Sequence, residues 1–447
     1  MKMCGPRIFL KVLFFFFLCV EANAEESWNL QRCVDYAVQN NPDLQAAEAK
    51  IKVSTYSFDY QKKLFLPRLD LNGSTGYLTG EPTSPFAVIG GVTEEGLRSK
   101  NVSGEYVSGA LTLSVPVFKE GVLFAKNAPT INMASNQVLI DKKNYEAKKN
   151  EIVFDVSTAF FNLLKINENI KAAGEHIKSL EETYKLAGSK YKEGLISKNE
   201  LLKTEVGLAS GEKELSSSRN LSQLYSSDLS FKMGLESTKH ITISPEDFKL
   251  PNLPPADKLV SIALANRPEV GSQEMRVSLA KEDQRKAESE RYPNVDFNSS
   301  YGLINDYGSR VNQMWTSALV LNMPIFDFGA VRSKIKSQEA KSAEEEKLLH
   351  AIKGSVALEV IKAITSIDNA RSEITLREKT VEQTTENARL MRAQFEQNLI
   401  PLSSVLEAEY ALYEEQKALA QAKYDLTAGY LQMGKATGSS LVLLSQQ

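Results

Sequence analysis

Side chains able to do chemistry are few in this sequence, and they are scattered. The three histidines, His176, His240 and His350, are isolated from one another and from any cysteine at a metal-ligand spacing. Asp327-Phe328-Gly329 has the letters of a magnesium-holding triplet, but it closes an apparent strand and no catalytic loop accompanies it. Gly91 to Gly96 begins like a phosphate-cradling loop, yet it continues into Leu97-Arg98 where a Lys followed by Ser or Thr is needed. The chain is therefore expected to be no enzyme and to hold no cofactor and no metal. Of Cys4, Cys19 and Cys33, the first two fall in an N-terminal leader, which leaves Cys33 without a disulfide partner.

The pattern lies in the elements instead, because the chain is written twice. Asn41-Pro42 opens a polar helical stretch that ends at Leu66-Pro67, and Arg267-Pro268 opens one that ends at Tyr292-Pro293. Both pairs of prolines stand 25 residues apart, and each second proline opens an alternating strand. A second strand closes on Pro116-Val117-Phe118 in one copy and on Pro324-Ile325-Phe326 in the other. Then come a long helix, a break at Gly194 or Asn398, and another long helix. The copies are offset by 226 residues at the prolines and by 208 at the strand closures, so most of the difference sits between the first two strands. That stretch, rich in Gly, Pro and Ser, includes Glu81 to Lys100 and reads as a long surface loop.

Lys2, Arg7 and Lys11, an apolar run from Val12 to Val20, and Ala22-Asn23-Ala24 read as a secretory leader cut before Glu25. Leu18 stands before Cys19 where a lipoprotein signal needs a small residue, which argues against lipidation. Removing Lys2, Arg7, Lys11 and Glu21 takes +2 from a formal charge of −3 and leaves −5, so nucleic acid is not an expected partner.

The first long helix carries apolar residues at alternating four- and three-residue steps, from Ile152, Val156, Ala159 and Leu163 to Leu180, Tyr184, Ala187 and Tyr191. The second copy places Val360, Ile367, Ile374, Val381, Ala388 and Phe395 seven apart, answered by Val405, Leu412, Leu419 and Leu426. The expected organisation is a leader at 1–24, a first repeat at 25–235, a linker at 236–257, a second repeat at 258–438 and a tail at 439–447. Strands are expected near 68–77, 107–117, 294–303 and 315–325, and helical hairpins near 126–235 and 329–437.

Leu111, Leu113, Val115 and Val117 alternate with Thr112 and Ser114, and Tyr106, Phe118, Trp315 and Phe326 are expected at strand ends as an aromatic girdle. This is the pattern of strands with one face on membrane lipid. Four strands cannot close a barrel, and an open edge in hydrocarbon leaves unpaired backbone groups. Two copies would give a bore filled by side chains, whereas three give twelve strands and a water-filled one, so a homotrimer is expected. Hairpins forming a soluble sandwich on a coiled-coil stalk are the alternative arrangement.

The two-copy layout, the strand starts at Pro67 and Pro293, the Pro-Val-Phe and Pro-Ile-Phe closures and the break at Tyr191 to Ile196 resemble the TolC family of outer membrane efflux proteins. That resemblance implies a mainly α fold with a membrane β-barrel: a trimer whose twelve-stranded barrel continues into a periplasmic α-helical barrel. It implies a passive exit duct for a tripartite pump or a type I secretion system, working with a periplasmic adaptor and an inner-membrane transporter. A non-conducting, barrel-anchored stalk is the rival. Gly194, Leu195 and Ile196, with Asn398, Leu399 and Ile400, match the hairpin tips on which adaptors dock. Glu200, Ser404 and Glu407 match positions that constrict the periplasmic entrance. Ser404 and Ile400 depart from the acidic and basic residues of some relatives.

Overall fold

The computed structural model describes residues 27–80, 102–236, 238, 241–244, 250–306 and 310–438. The leader, the Glu81 to Lys100 loop with its Gly91 to Gly96 motif, His240 and the 439–447 tail lie outside the described residues.

The first repeat runs α1 (Leu30–Asn40), α2 (Pro42–Lys63), β1 (Arg68–Gly80), β2 (Val102–Lys119), a short β3 (Val122–Leu123), α3 (Pro129–Lys192) and α4 (Lys198–Met233). The second runs α5 (Ala256–Asn266), α6 (Pro268–Ser289), β4 (Asn294–Asp306), β5 (Arg310–Asn322), α7 (Ala330–Glu396) and α8 (Leu402–Thr437). Prolines open α2, α3 and α6 at the first turn, where the missing N–H has no helical partner to lose. None of the described helices is long and apolar enough to cross a membrane.

The strands form one antiparallel sheet in the order β1-β2-β4-β5, with β3 beside β2. Its register sorts the residues cleanly. Leu71, Leu111, Tyr301 and Trp315 lie directly opposite one another on one face, and Asp70, Thr112, Ser300 and Thr316 form a row on the other. Polar groups on the apolar face bond one another: Trp315 Nε1 donates to Ser299 Oγ at 2.9 Å, Ser299 and Ser317 share a hydroxyl bond of 2.9 Å, and Tyr301 donates to Gln313 at 3.1 Å. Two expectations shift. Trp315 stands within β5 rather than at its end, and β5 stops at Asn322, leaving Met323 to Ile325 beyond it. β2 runs on through Pro116 with β4 as its partner there, the β1 ladder having ended at Ser114, and the strand absorbs the proline with a bulge between Pro116 and Phe118.

The sheet-to-helix corner is repeated in backbone as well as in sequence. Glu120 and Gly121 adopt φ of 53° and 74°, and their counterparts Phe328 and Gly329 adopt 52° and 85°. Where α4 and α8 end, beside the middle of α3 and α7, lies a second duplicated device. Gly234 ends α4 with φ 80°, and a Cβ there would stand 2.8 Å from Asn40 O; Gly438 ends α8 with φ 66°, and a Cβ there would stand 2.9 Å from Asn266 O. Asn41 donates to the Lys232 carbonyl at 2.9 Å in the first knot, and Arg267 donates to the Lys435 carbonyl at 3.0 Å in the second.

Three apolar cores follow. One gathers Cys33, Ala37, Val156, Phe160, Leu163, Leu229 and Met233. Ile241 and Ile243 seal it from the inter-repeat strap, which forms a parallel bridge to Trp28. A second joins Leu259, Ala263, Val360, Ile367 and Met433. The third, Ala187, Phe395, Leu402 and Val405, sits at the hairpin tips. The heptad seam of α3 is buried as expected at Ile152, Val156, Ala159, Leu163, Leu180 and Ala187, but Tyr191 is exposed. On α4, Leu201, Leu208 and Leu215 are half-buried and Leu229 is wholly buried, while toward the tip Thr204, Gly211 and Ser218, seven apart, are the buried positions. A Cβ on Gly211 would meet Ile177 and Leu180 at 3.2 Å, so a small residue here allows close helix approach.

Candidate channel entrance at the helix tips

Each hairpin tip is a helix end reversed by one left-handed residue. Gly194 has φ 76°, and Leu195 N donates back to Lys190 O at 2.8 Å; Asn398 has φ 62°, and Leu399 N donates to Gln394 O at 2.9 Å. This long backward bond satisfies carbonyls that the helix end leaves open. Leu195 and Leu399 are left exposed at the two apices, while Ile196 and Ile400 turn inward against the tip core. The six tip residues therefore divide by exposure, with two of them packed against the tip core.

The second helix of each hairpin starts differently. Ser197 and Glu200 form a reciprocal capping box, Glu200 N to Ser197 Oγ and Ser197 N to Glu200 Oε2, both at 3.2 Å. Glu200 is half-buried, and its carboxylate is engaged at the start of its own helix. Pro401 replaces the cap in the second repeat and bonds through its carbonyl to Ser404 N at 3.2 Å. Ser404 is half-buried, and Glu407, one turn on, is exposed. These three residues lie within one and a half turns of the tips, but no contact joins Glu200 to either of the others within the protomer.

The residues that do tie the repeats together were not singled out by sequence. Lys190 is only 6% exposed, donates to Glu396 O at 2.9 Å and to Asn398 Oδ1, and lies 5.2 Å from the Phe395 ring centre. It thereby fixes the second tip from the first hairpin. Further from the tips, Glu409 is 4% exposed and receives Thr183 Oγ1 at 2.8 Å and Arg392 Nη2 at 2.6 Å, all on Oε1; its Oε2 has no hydrogen-bond partner. Arg392 also donates to Glu182 at 2.9 Å and to Ser179. One signal was available: Glu409 follows Leu402 by seven residues, so it occupies a seam position of α8.

Alongside, a cavity of about 530 Å³ opens between α3, α7 and α8, lined by His176, Arg392, Glu409 and Tyr413 among others. His176 stacks flat on Tyr413 at 4.7 Å. Burial pushes His176 below its ordinary value against the opposing pull of Glu409, Glu214 and Glu414, which keeps the ring neutral near pH 7. Burial also lifts the Tyr413 phenol to about 12, with Glu214 adding to the rise. Lys417 donates to Glu214 at 2.9 Å, and that bond holds Glu214 below the usual carboxylate range. The arrangement is a hydrogen-bonded polar joint between helices. His350 is exposed and remote from it.

The comparisons with known proteins agree with this architecture. The chain is 22% identical over 426 residues to Nodulation protein T of Rhizobium leguminosarum bv. trifolii, covering 91% of this chain and 84% of that one. It is 19% identical over 446 residues to Outer membrane protein TolC of Escherichia coli (strain K12), covering 94% and 84%. Among solved structures, the CmeC outer membrane channel of Campylobacter jejuni superposes with a TM-score of 0.78 at 18% identity, covering 93% of this chain and 87% of that one. The family model described as outer membrane efflux protein matches residues 33–234 and 259–439, and the chain belongs to that family of outer membrane efflux channels.

Proposed function

We propose that three copies of this chain close a twelve-stranded barrel and a continuous helical duct, and that the assembly is the passive outer membrane exit of a tripartite efflux pump or a type I secretion system. The observation that carries this reading is the sheet. It has one apolar and one polar face, and β1 and β5 are edges with no partner within the described chain. In hydrocarbon each unpaired backbone group costs several kcal/mol, which favours edge-to-edge closure with further copies. The polar face, with Asp70, Thr112 and Ser300, would line the bore.

At the other end, the exposed Leu195 and Leu399 offer a periplasmic adaptor two apolar knobs per protomer, and an inner-membrane transporter supplies the energy. Gly194→Pro combined with Asn398→Pro should abolish adaptor cross-linking and export while sparing barrel insertion, because proline cannot adopt φ of 76° or 62°. Glu407, Ser404 and Glu200 from three protomers would ring the entrance, with Glu407 carrying the exposed charge. Planar-bilayer recording tests the reading. Stepwise conductance is expected, with a cation preference that falls in Glu407→Gln and changes much less in Ser404→Ala. A trimer that inserts without conducting would favour a barrel-anchored stalk, and unchanged reversal potentials in Glu407→Gln would put that residue outside the conducting path.

A further inference from the structure

The cavity of about 530 Å³ between α3, α7 and α8 falls in the ~300–1,000 Å³ range of small-molecule sites. Three carboxylates line it, Glu175 from α3, Glu396 from α7 and Glu409 from α8, against the guanidiniums of Arg389 and Arg392. Both guanidiniums are already engaged. Arg389 donates to Glu386 through Nε at 2.8 Å and Nη2 at 2.7 Å, and Arg392 divides its donors among Glu409, Glu182 and Ser179. Glu175 and Glu396 are the unmatched groups: both are exposed, and neither carboxylate receives a hydrogen bond or an ion pair among the described residues.

These two carboxylates stand at opposite ends of the cavity. α3 and α7 both run toward the tips, and Arg392 bonds Ser179 across them. Glu175 precedes Ser179 by four residues and Glu396 follows Arg392 by four, so along the helix axes they lie roughly 12 Å apart at ~1.5 Å per residue. The stretch between them is different. There the Arg392 charge is met by Glu409 Oε1, burial keeps His176 neutral near pH 7, and Ala388, Ala393 and Leu412 supply apolar wall. Among the described residues no three His, Cys, Asp or Glu side chains converge to hold a metal ion. A ligand matched to this layout carries positive charge at both ends and hydrocarbon in the middle.

We propose that this cavity binds a linear aliphatic diammonium ion, one ammonium on Glu175, the other on Glu396, and the carbon chain laid past Ala388, Ala393 and Leu412. A charge on the middle of the chain would meet Arg392, so the hydrocarbon span is part of the recognition. Glu175 belongs to the first repeat and Glu396 to the second, and the bound ion ties one hairpin to the other. The site does not depend on the duct reading above, because a non-conducting stalk with the same joint would bind the same ligand.

The test is calorimetric titration of the purified full-length protein in detergent with a series of diamines at pH 7.5 and low salt. 1,8-diaminooctane, long enough to reach both carboxylates, should bind more tightly than 1,4-diaminobutane, which reaches one at a time. Glu175→Gln and Glu396→Gln should each weaken 1,8-diaminooctane about fivefold, the worth of one water-screened charge contact near ~4 Å, and each should abolish the preference for the longer chain. Both side chains are exposed, so these variants keep the fold. Glu407 does not line the cavity, and Glu407→Gln should change the affinity less than about twofold. Equal binding of the two diamines by the parent protein, or no binding at all, would overturn the proposal. So would tighter binding of octanedioate, the dianion of matching length, which would assign the cavity to Arg389 and Arg392 instead. An affinity lost in Glu407→Gln but kept in the other two variants would place the diamine at the entrance and overturn the cavity assignment.

Discussion

Arg392→Ala should destabilise each protomer far more than loss of an ordinary surface cation. Glu409 is almost wholly buried, its Oε2 is unpartnered, and without Arg392 its named donor is the Thr183 hydroxyl at 2.8 Å. Removing one partner of a fully buried pair costs about 3–5 kcal/mol. The guanidinium keeps 31% of its side-chain surface in contact with solvent, against 3% for Glu409. Water at the arginine end screens the pair, so about 2–3 kcal/mol is a better expectation, a shift of roughly 30- to 150-fold in the folding equilibrium. The neighbouring cavity gives water a route toward the stranded carboxylate and sets this as the upper part of the range. Arg392→Met combined with Glu409→Leu leaves no charge behind and should recover most of the loss, to within about 1 kcal/mol of the parent. Guanidinium-induced loss of the far-ultraviolet helix signal in detergent should thus rank the midpoints as parent, double variant, then Arg392→Ala. A double variant as unstable as the single one, or an unchanged midpoint for Arg392→Ala, would refute the claim that a buried carboxylate needs this arginine.

Gly234→Ala and Gly438→Ala should each lower the stability by about 2 kcal/mol or more, and the midpoint with it, because a left-handed backbone and a contact under 3 Å with an asparagine carbonyl penalise the added methyl together; equal midpoints would show that the knots relax freely. His176, depressed by burial from 6.5, binds fewer protons folded than unfolded, so its contribution is complete above pH 6.5 and drains as pH falls below that value. His176→Gln should flatten the change in midpoint between about pH 7.5 and about pH 5.5, and an unaltered slope would remove His176 from the acid response. Deleting Glu81 to Lys100 should leave trimers intact on a native gel, since the stretch joins two strands and its Gly, Pro and Ser content suggests no core; loss of trimers would place it in the assembly interface.

Much of the architecture was legible because it rests on local rules. Proline at the start of a helix, two-residue alternation and a seven-residue seam each act over a few residues, and Pro42, Pro67, Pro268 and Pro293 framed both repeats. The joints were illegible for the opposite reason. Gly234 looks like an ordinary helix stop, and only the arrival of Asn40, 194 positions earlier, makes its missing side chain necessary. Lys190 and Glu409 look like solvated charges until a second helix covers them. Glu200 shows the converse: a residue three positions after Ser197 was open to a capping role from sequence alone, and the structure uses it that way. Ile196 and Ile400, grouped with Leu195 and Leu399 as docking residues, are partly buried against the tip core, a difference that appears only once Phe395 and Leu402 are brought beside them.

The glycine knots also have a mechanical meaning. They clamp each hairpin at one extremity, while α4 and α8, 36 residues each, carry the free extremity away from the clamp. At 1.5 Å per residue each arm is about 54 Å long, so a tilt of only about 5° at the clamp sweeps its apex through about 5 Å. Displacements too small to disturb the cores around Met233 and Met433 thus become, at the far end, comparable to the width of a hydrated ion. With Lys190 yoking one apex to the other, the two arms of a protomer would swing together as a single pointer.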